Sequence, residues 1–417
     1  MNALSVGETL AAWARSGVVA LTGRADGPPL VPPGTGAATA RLLAERFADH
    51  TSCTGRPVWV DGPRLLSERA AFLGLRRRGD ISAGGACRLL PTADGWAAVS
   101  CARPDDPALL GALVGAEVGD DPWPAVTEWL RDHTGAELAE RAELLGVAAG
   151  PVRRRPAPPP PEPLKPRPLE GLLVVDFSAL WAGPLCAHLL GLAGARIVKV
   201  EIPGRPDGAR RGDPDFYRLL HAGHRSVVLD PDIPEERRAM AALVNAADIV
   251  IEASRPRALA RFGLDAEAAV ASGTTWVSIT AYGRGDDRVG FGDDVAAATG
   301  LVCHDASGAP LFCGDAIADP LTGLTAAVLA STAPPCGGGM LWDVAMSDVV
   351  AATLGPGEAF PSPAAIRDGN GEGWVVETGD GPPVPVAFPA KRDAVGEAAG
   401  MGEHTSEVLR ELGIPVP

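Results

Sequence analysis

The stretch LLVVDFSALWAGPLCAHLLGLAGARIVKVE, residues 172–201, reads as strand, turn, helix and strand in succession. LLVVDFS (172–178) is a nearly continuous apolar run, the pattern of a strand covered on both faces. GPLCAHLLGLAGA (183–195) has the small apolar face of a packed helix, and RIVKVE (196–201) is strand-like again. The same rhythm continues through RSVVLD (225–230), a helix at about 234–246, DIVIEA (248–253), a helix at about 256–271 and TTWVSITAYG (274–283). Strands that alternate with helices build βαβ units and a mostly parallel sheet, so the fold class is α/β. Ligands of such sheets bind past the carboxyl ends of the strands.

Outward from this stretch the organisation changes. PVRRRPAPPPPEPLKPRP (151–168) carries too much proline for a helix or a central strand and predicts an extended, stiff spacer. It separates a region 1–150 from a region 169–355, and residues 356–417 form a return segment ending in a short helix at about 402–412. Within the first region, residues 84–106 predict a hairpin turning at Asp94-Gly95, followed by helices at about 107–116 and 122–145. Residues 1–75 read as loosely patterned α/β structure.

Composition narrows the function. The chain has 417 residues, 46% hydrophobic and 21% charged, with a formal net charge of −15. Such an acidic chain is a poor binder of nucleic acid or anionic membranes and needs local arginines to hold a polyanion. No apolar run is long enough to span a bilayer. The first residues lack a basic leader before an apolar core and do not read as a signal peptide. Seven widely spaced cysteines without a CxxC pair predict reduced thiols in a cytoplasmic protein. No His/Cys grouping has zinc spacing, so no metal is expected.

Chemistry concentrates in LFCGDAIADPLTGL (311–324), where Asp315 and Asp319 stand in small apolar surroundings. Pro320 suits the first position of a helix, which makes Asp319 an N-cap. An Asp there serves as a cap or, held by free backbone N–H groups, as a reactive carboxylate. Arginines for an anionic ligand occur on the loop EIPGRPDGARRGD (201–213), with Arg205, Arg210 and Arg211, and in SRPRALAR (254–261), with Arg255, Arg257 and Arg261.

Several ordered motifs resemble the class III CoA-transferase family, which includes formyl-CoA and carnitine CoA-transferases and 2-methylacyl-CoA racemases. They are residues 169–204, HAGHRSVVLD (221–230), DIVIEASRPRALARFGL (248–264), WVSITAYGRGD (276–286), IADPLTGLTAAVLA (317–330) and GEHTSEVLRELG (402–413). TADGWAAVSC (92–101) and residues 122–152 resemble the family's small domain, which there follows the large one. The resemblance implies a Rossmann-like large domain plus a smaller α+β domain in circularly permuted order; a tandem duplication that lost half of each copy gives the same pattern.

Aligned through Gly323, the resemblance makes Asp319 the nucleophile. It assigns acyl-CoA contacts to Trp181, Ala182, Arg205, Ser254, Arg255, Arg261, Tyr282 and Gly283, and a glycine-rich flap with an oxyanion role to Gly84 and Gly85. The implied reactants are a coenzyme A thioester and a carboxylic acid, with no tightly bound cofactor and a homodimeric assembly. Ile202 and Trp181 depart from the formyl-CoA transferase pattern and point to a bulkier or less polar acyl group. Asp293 stands where the racemases carry a histidine, which disfavours the isomerase alternative. A non-catalytic acyl-CoA-binding homologue is the other alternative.

Overall fold

The computed structural model describes residues 5–159, 164–254, 256–334, 337–355, 362–379 and 381–417. The amino-terminal part holds α1 (Val6–Arg15), α2 (Gly36–Thr54), α3 (Gly62–Leu65) and α4 (Glu68–Leu73). A hairpin and three helices follow: β1 (Cys87–Thr92), β2 (Gly95–Ser100), α5 (Asp106–Val114), α6 (Trp123–Arg131) and α7 (Gly135–Leu145), then β3 (Ala149–Pro151). The alternating region comprises β4 (Leu173–Asp176), α8 (Ala182–Leu192), β5 (Arg196–Glu201), α9 (Pro214–His221), β6 (Arg225–Val228), α10 (Pro234–Ala246) and β7 (Ile249–Glu252). It continues with α11 (Pro256–Ala260), α12 (Ala266–Ala271), β8 (Thr275–Thr280), α13 (Gly292–Ala298), β9 (Val302–His304), β10 (Pro310–Phe312), α14 (Ala318–Ala330), β11 (Met340–Ala345) and α15 (Met346–Thr353). Short strands β12 (Ile366–Arg367), β13 (Trp374–Val376) and β14 (Val384–Pro385) precede α16 (Thr405–Glu411).

The main sheet has six strands in the order β6-β5-β4-β7-β8-β11, all parallel. Numbered along the chain, that order is 3-2-1-4-5-6, the doubly wound Rossmann arrangement. The order reverses between β4 and β7, where Val174 pairs with Ile249. The turns that leave these two strands diverge and open a crevice at the sheet's carboxyl end. One core fills the face carrying α8 and α14, with Leu185, Ile251 and Leu321 in it; a second fills the face carrying α10 and α16, with Val198, Leu243 and Val408. The β1-β2-β3 sheet packs α5–α7 on a separate small core around Leu110, Leu130 and Leu138. The molecule is thus an α/β fold with a Rossmann-like unit and a smaller α+β unit, and the smaller unit comes first along the chain.

Local sequence accounts for the boundaries that differ from expectation. The hairpin turns at Ala93-Asp94, one residue earlier than the sequence suggests, because Thr92 pairs with Gly95. The helix expected over 122–145 is two helices, broken where Thr134 caps α7 through a capping box with Glu137. The helix expected over 256–271 is also interrupted, because Gly263 takes a left-handed φ of 78° and Asp265 caps a new start. Among residues 5–75 the described elements are helical. Trp13, Phe47 and Leu66 belong to the same core as Leu321 on α14, so these residues pack with the parallel sheet's unit. The region 1–150 therefore divides: helices up to residue 73 cover α14, and the small unit begins near the flap at residue 82. The described part of the Pro-rich stretch is tied down. Arg153 and Arg155 donate backbone N–H bonds to Ala298 and Thr299, and Pro166 bridges Thr332. Among the described residues, no helix is long and apolar enough to cross a membrane.

Candidate active site

Asp319 lies at the floor of the switch-point crevice, a space of about 270 Å³. It is not an N-cap. Helix α14 begins one residue earlier, at Ala318, with Ile317 in the cap position, so Asp319 sits in the first turn. Its carboxyl lies beside the backbone N–H of Ala182, the first residue of α8, which favours its charged form. The amide of a neighbouring helix's first turn, unpaired within that helix, is a ready partner for a carboxylate.

Two glycines make this contact possible. A Cβ on Gly323 would fall 2.6 Å from the Ala182 carbonyl and 3.0 Å from Leu185 Cβ, so Gly323 lets α14 press on the start of α8. A Cβ on Gly292 would lie 2.0 Å from Asp319 Oδ2, so the bare backbone at the start of α13 forms the wall behind the carboxyl. Gly323 accounts physically for the Asp-x-x-x-Gly spacing. Gly292 was not singled out by sequence reasoning, because its use depends on a residue far along the chain.

Charge at the site is unbalanced. Asp293, Asp315 and Asp319 surround Arg69 from α4. Asp315 is fully buried and receives Arg69 Nε at 3.0 Å and Nη2 at 2.5 Å. Asp293 accepts the backbone N–H of Ala316 at 2.7 Å. Ala316 holds a left-handed φ of 43°, which is costly for an alanine, and the Asp293 bond pins it. Burial, with Asp315 nearby, pushes Asp293 up to about 6. Asp294 is buried too and pushed up to about 7, while it accepts from Ser100 Oγ (2.8 Å) and the Phe291 N–H (2.9 Å). Asp319 is pushed up to about 7 by burial; Arg69 opposes that rise and Asp293 and Asp315 add to it.

The residues expected from sequence fall into two groups. Ala182 and Ser254 line the crevice with Asp319, and the Ser254 hydroxyl has no partner among the described residues. Gly84 lies against the acidic group, since a Cβ there would come within 3.4 Å of Arg69 Nη2 and 3.7 Å of Asp315 Oδ1; Gly85 turns the same loop with a φ of 84°. Trp181 does not reach the crevice surface. Its ring is buried, edge-on to Phe216 and under the Arg69 guanidinium, because apolar surroundings claim it for the core. Tyr282 stands behind the crevice wall between Arg288, 3.9 Å from its ring centroid, and Arg155 at 5.7 Å. Gly283 turns the chain with its N–H on Thr280 Oγ1. Arg205 and Arg261 are exposed on turns and do not line the crevice; Arg255 lies outside the described residues.

Two cations missed by sequence reasoning do line it. Arg103 comes from the small unit, bound to Asp106 and to the Gly146 carbonyl, and Arg288 forks onto Asp286. Arg103 follows β2 of the small sheet, and Arg288 lies on the loop after β8, just beyond the stretch 276–286 in which sequence motifs were read.

The turn after β4 is held from below. Lys199 Nζ donates to the Ser178 carbonyl at 2.8 Å and pairs with Asp207 at 2.9 Å, and Asp207 accepts the Leu180 N–H at 3.0 Å. Leu180 has a left-handed φ of 70°. Glu201 accepts the Asp207 N–H and Arg210. The Lys-x-Glu pair of β5 therefore shapes the turn that delivers Ala182 to Asp319. Arg210, read as a ligand cation, is spent on Glu201.

With this geometry in place, comparison with known proteins is informative. Residues 169–379 match CoA-transferase family III, and the chain belongs to that family. It is 31% identical over 211 residues to a succinate–glutarate CoA-transferase of Agrobacterium fabrum, covering 45% of this chain and 53% of that protein. It is 28% identical over 207 residues to a succinyl-CoA–D-citramalate CoA-transferase of Chloroflexus aurantiacus, covering 45% and 52%. Among solved structures, a CAIB/BAIF family protein from Brucella suis aligns over 52% of this chain and 65% of its own, with 26% identity and a TM-score of 0.44. The chain spans about half the length of the curated relatives it matches.

Proposed function

We propose that the protein is a CoA-transferase that moves coenzyme A from an acyl-CoA to a carboxylic acid through a covalent intermediate on Asp319. The observation that carries this reading is the placement of Asp319 beside the start of α8, lining a crevice that opens at the sheet's switch point with the turns after β4, β7 and β8. Ionised Asp319 attacks the thioester carbonyl, the C–S bond breaks, and CoA thiolate leaves a mixed anhydride. The thiolate then attacks the aspartyl carbonyl, which releases the donor acid and leaves an aspartyl-CoA thioester. The acceptor carboxylate attacks that thioester, and the same steps in reverse order yield the new acyl-CoA and free Asp319. The oxyanion is assigned to the Gly84 backbone N–H, since Gly85 donates its own to the Ser82 carbonyl. Ser254 and the turn 179–182 face the pantetheine and thioester end.

Ile279, Val289, Phe291 and Met346 line the crevice, and its two arginines are each engaged by a carboxylate of this chain. Both features favour an acyl group of low polarity. An isomerase needs a second base beside the α-carbon; Asp293 is instead committed to the Ala316 N–H, which favours transfer. The homodimer is part of this proposal, and sedimentation decides the assembly. The six described cysteines are free, which fits a reducing, cytoplasmic setting.

The test is to incubate the protein with a panel of acyl-CoAs and free acids, follow exchange of label between them, and locate the adduct by peptide mass. An adduct on Asp319 supports the reading. Acyl-CoA binding without exchange or adduct overturns it in favour of a binding protein, and rapid α-proton exchange with inversion overturns it in favour of an isomerase.

A further inference from the structure

The run 312–316 leads into Asp319, and separate segments of the chain hold it. The Phe312 N–H donates to the Gly79 carbonyl at 3.0 Å, and the Gly314 N–H donates to Thr22 Oγ1 at 3.1 Å. The Asp315 carboxylate takes Arg69 Nε at 3.0 Å. The Ala316 N–H donates to Asp293 Oδ1 at 2.7 Å. A residue in a sparsely populated backbone region persists only where its surroundings over-determine it. Here that residue is Ala316, with its φ of 43°.

Ala316 is joined to Asp319 directly, because its carbonyl accepts the Asp319 N–H at 2.9 Å. The start of α13 presses on the same turn. A Cβ on Gly292 would lie 2.6 Å from the Ala316 carbonyl oxygen and 2.0 Å from Asp319 Oδ2. Residue 292 therefore sets the space for the carboxyl, and residue 293 supplies the acceptor for the strained peptide. Ala316 is buried, so its N–H would lose a bond that water does not readily replace if Asp293 were absent. An alanine without that bond relaxes toward negative φ, and the peptide that holds the Asp319 N–H turns with it.

We propose that Asp293 is a positioning residue: by accepting the Ala316 N–H, it holds the left-handed turn that aims Asp319 into the crevice. This rests on the reading of Asp319 as nucleophile. Asp293 is not among the residues that line the crevice. It acts through Ala316, as a hydrogen-bond acceptor and not as a base.

The experiment separates the acceptor from the charge. Transfer is measured on the alkaline plateau of kcat, where ionisation of Asp319 no longer limits the rate. Asp293→Ala is expected to lower kcat by about 10²-fold with KM little changed, the effect of a misplacement of about 1 Å. Asp293→Asn loses the charge but keeps an acceptor oxygen, and its loss is expected to be about tenfold smaller. Adding Ala316→Gly to Asp293→Ala is expected to recover about tenfold, since glycine adopts a positive φ without steric cost. Ala316→Val keeps Asp293 and its charge but disfavours the left-handed turn, so it should lower kcat by itself. Ala316→Val and Asp293→Asn carry the test if Asp293→Ala does not fold. Three results overturn the inference: Asp293→Asn as impaired as Asp293→Ala, no recovery on adding Ala316→Gly, or wild-type kcat in Ala316→Val.

Crystal structures of Asp293→Ala and Asp293→Asn read the geometry without turnover. In the first, residue 316 is expected to leave the left-handed region and the Asp319 carboxyl to move; in the second, both stay. Those geometries, with no transfer by the unaltered protein, break the functional reading alone. Transfer that requires Asp319, with residues 316 and 319 unmoved in Asp293→Ala, breaks this inference alone.

Discussion

Two buried polar groups flank the turn after β4, and they differ in how their charges add up. Under the turn, Lys199 pairs with Asp207, Arg210 pairs with Glu201, and Asp176 accepts from Ser178. His221 and His224 lie beside them as neutral rings: burial, then Lys199, holds His221 well below its ordinary range and His224 down at about 3. Above the turn, Asp293, Asp315 and Asp319 share one guanidinium. The first group, with partners matched, works as a brace. The second, with carboxylates in excess, pushes Asp293 and Asp319 above the ordinary carboxylate range. Excess charge of one sign in a partly closed crevice is a mark of chemistry, whereas cavity size is not. A larger cavity, of about 660 Å³, lies at the opposite end of β5 and β6, and its charged residues Arg196 and Arg225 are tied to Glu411, as Arg392 is to Glu68.

The comparison is broken most directly at Asp319. Asp319→Ala should lower turnover by roughly 10³-fold or more, as loss of a nucleophile does, with little change in thermal stability. Steady-state transfer rates and a melting curve check this, and comparable activity in the variant removes the distinction between the two groups. Lys199→Met should do the reverse. It leaves Asp207 buried without its partner, at a cost of about 3–5 kcal/mol, and urea unfolding measures it. A stability near wild type would mean that the lower group is no brace.

A finer probe is Gly292→Ala, because the new methyl would fall 2.0 Å from Asp319 Oδ2 and 2.6 Å from the Ala316 carbonyl oxygen, so that both must shift. A displacement of about 1 Å at a reacting group can cost on the order of 10² in rate, so kcat should fall by about that factor while the brace and the fold persist. Unchanged kcat would show that Asp319 reacts from another rotamer.

The smallest expected effect is that of pH. Asp319 attacks only when ionised, so kcat/KM should climb as pH rises through about 7, losing about tenfold per unit below that. Stability should move the opposite way. Asp293, Asp294 and Asp319 have folded values of about 6, 7 and 7, raised from the ordinary 3.8, so the folded protein keeps protons that the unfolded chain releases. Unfolding free energy from these groups declines as pH rises from about 4 to 7. A kcat/KM profile flat across pH 7, or unfolding free energy that rises through that window, contradicts the charge excess above the turn.

The parallel sheet was legible because its strands are apolar on both faces and separated by helices, so LLVVDFS and RIVKVE declare themselves without reference to any other part of the chain. Asp319 was legible for a similar reason, since its partner Gly323 is four residues away and the spacing survives in one dimension. The Lys-x-Glu pair was visible as a pattern, but its work on Asp207 and Arg210 became apparent only once the loop folded back over β5. Residues 5–75 were misjudged because their helices bury against α14 and carry no strong pattern of their own; Gly36, for instance, meets Trp13 and Leu321 across the core. Trp181 and Arg205 were expected at the site, yet burial took the first into the core and exposure left the second away from the crevice.

What the sequence determined by itself is therefore local: the alternation that makes a doubly wound sheet and the Asp-x-x-x-Gly helix start. What only the tertiary structure decided is how charge is shared between distant segments. Arg69 reaches Asp315 across 246 positions and Ser100 reaches Asp294 across 194. The ionisation of a buried carboxylate depends on every charge around it in space, and spacing along the chain does not carry that information.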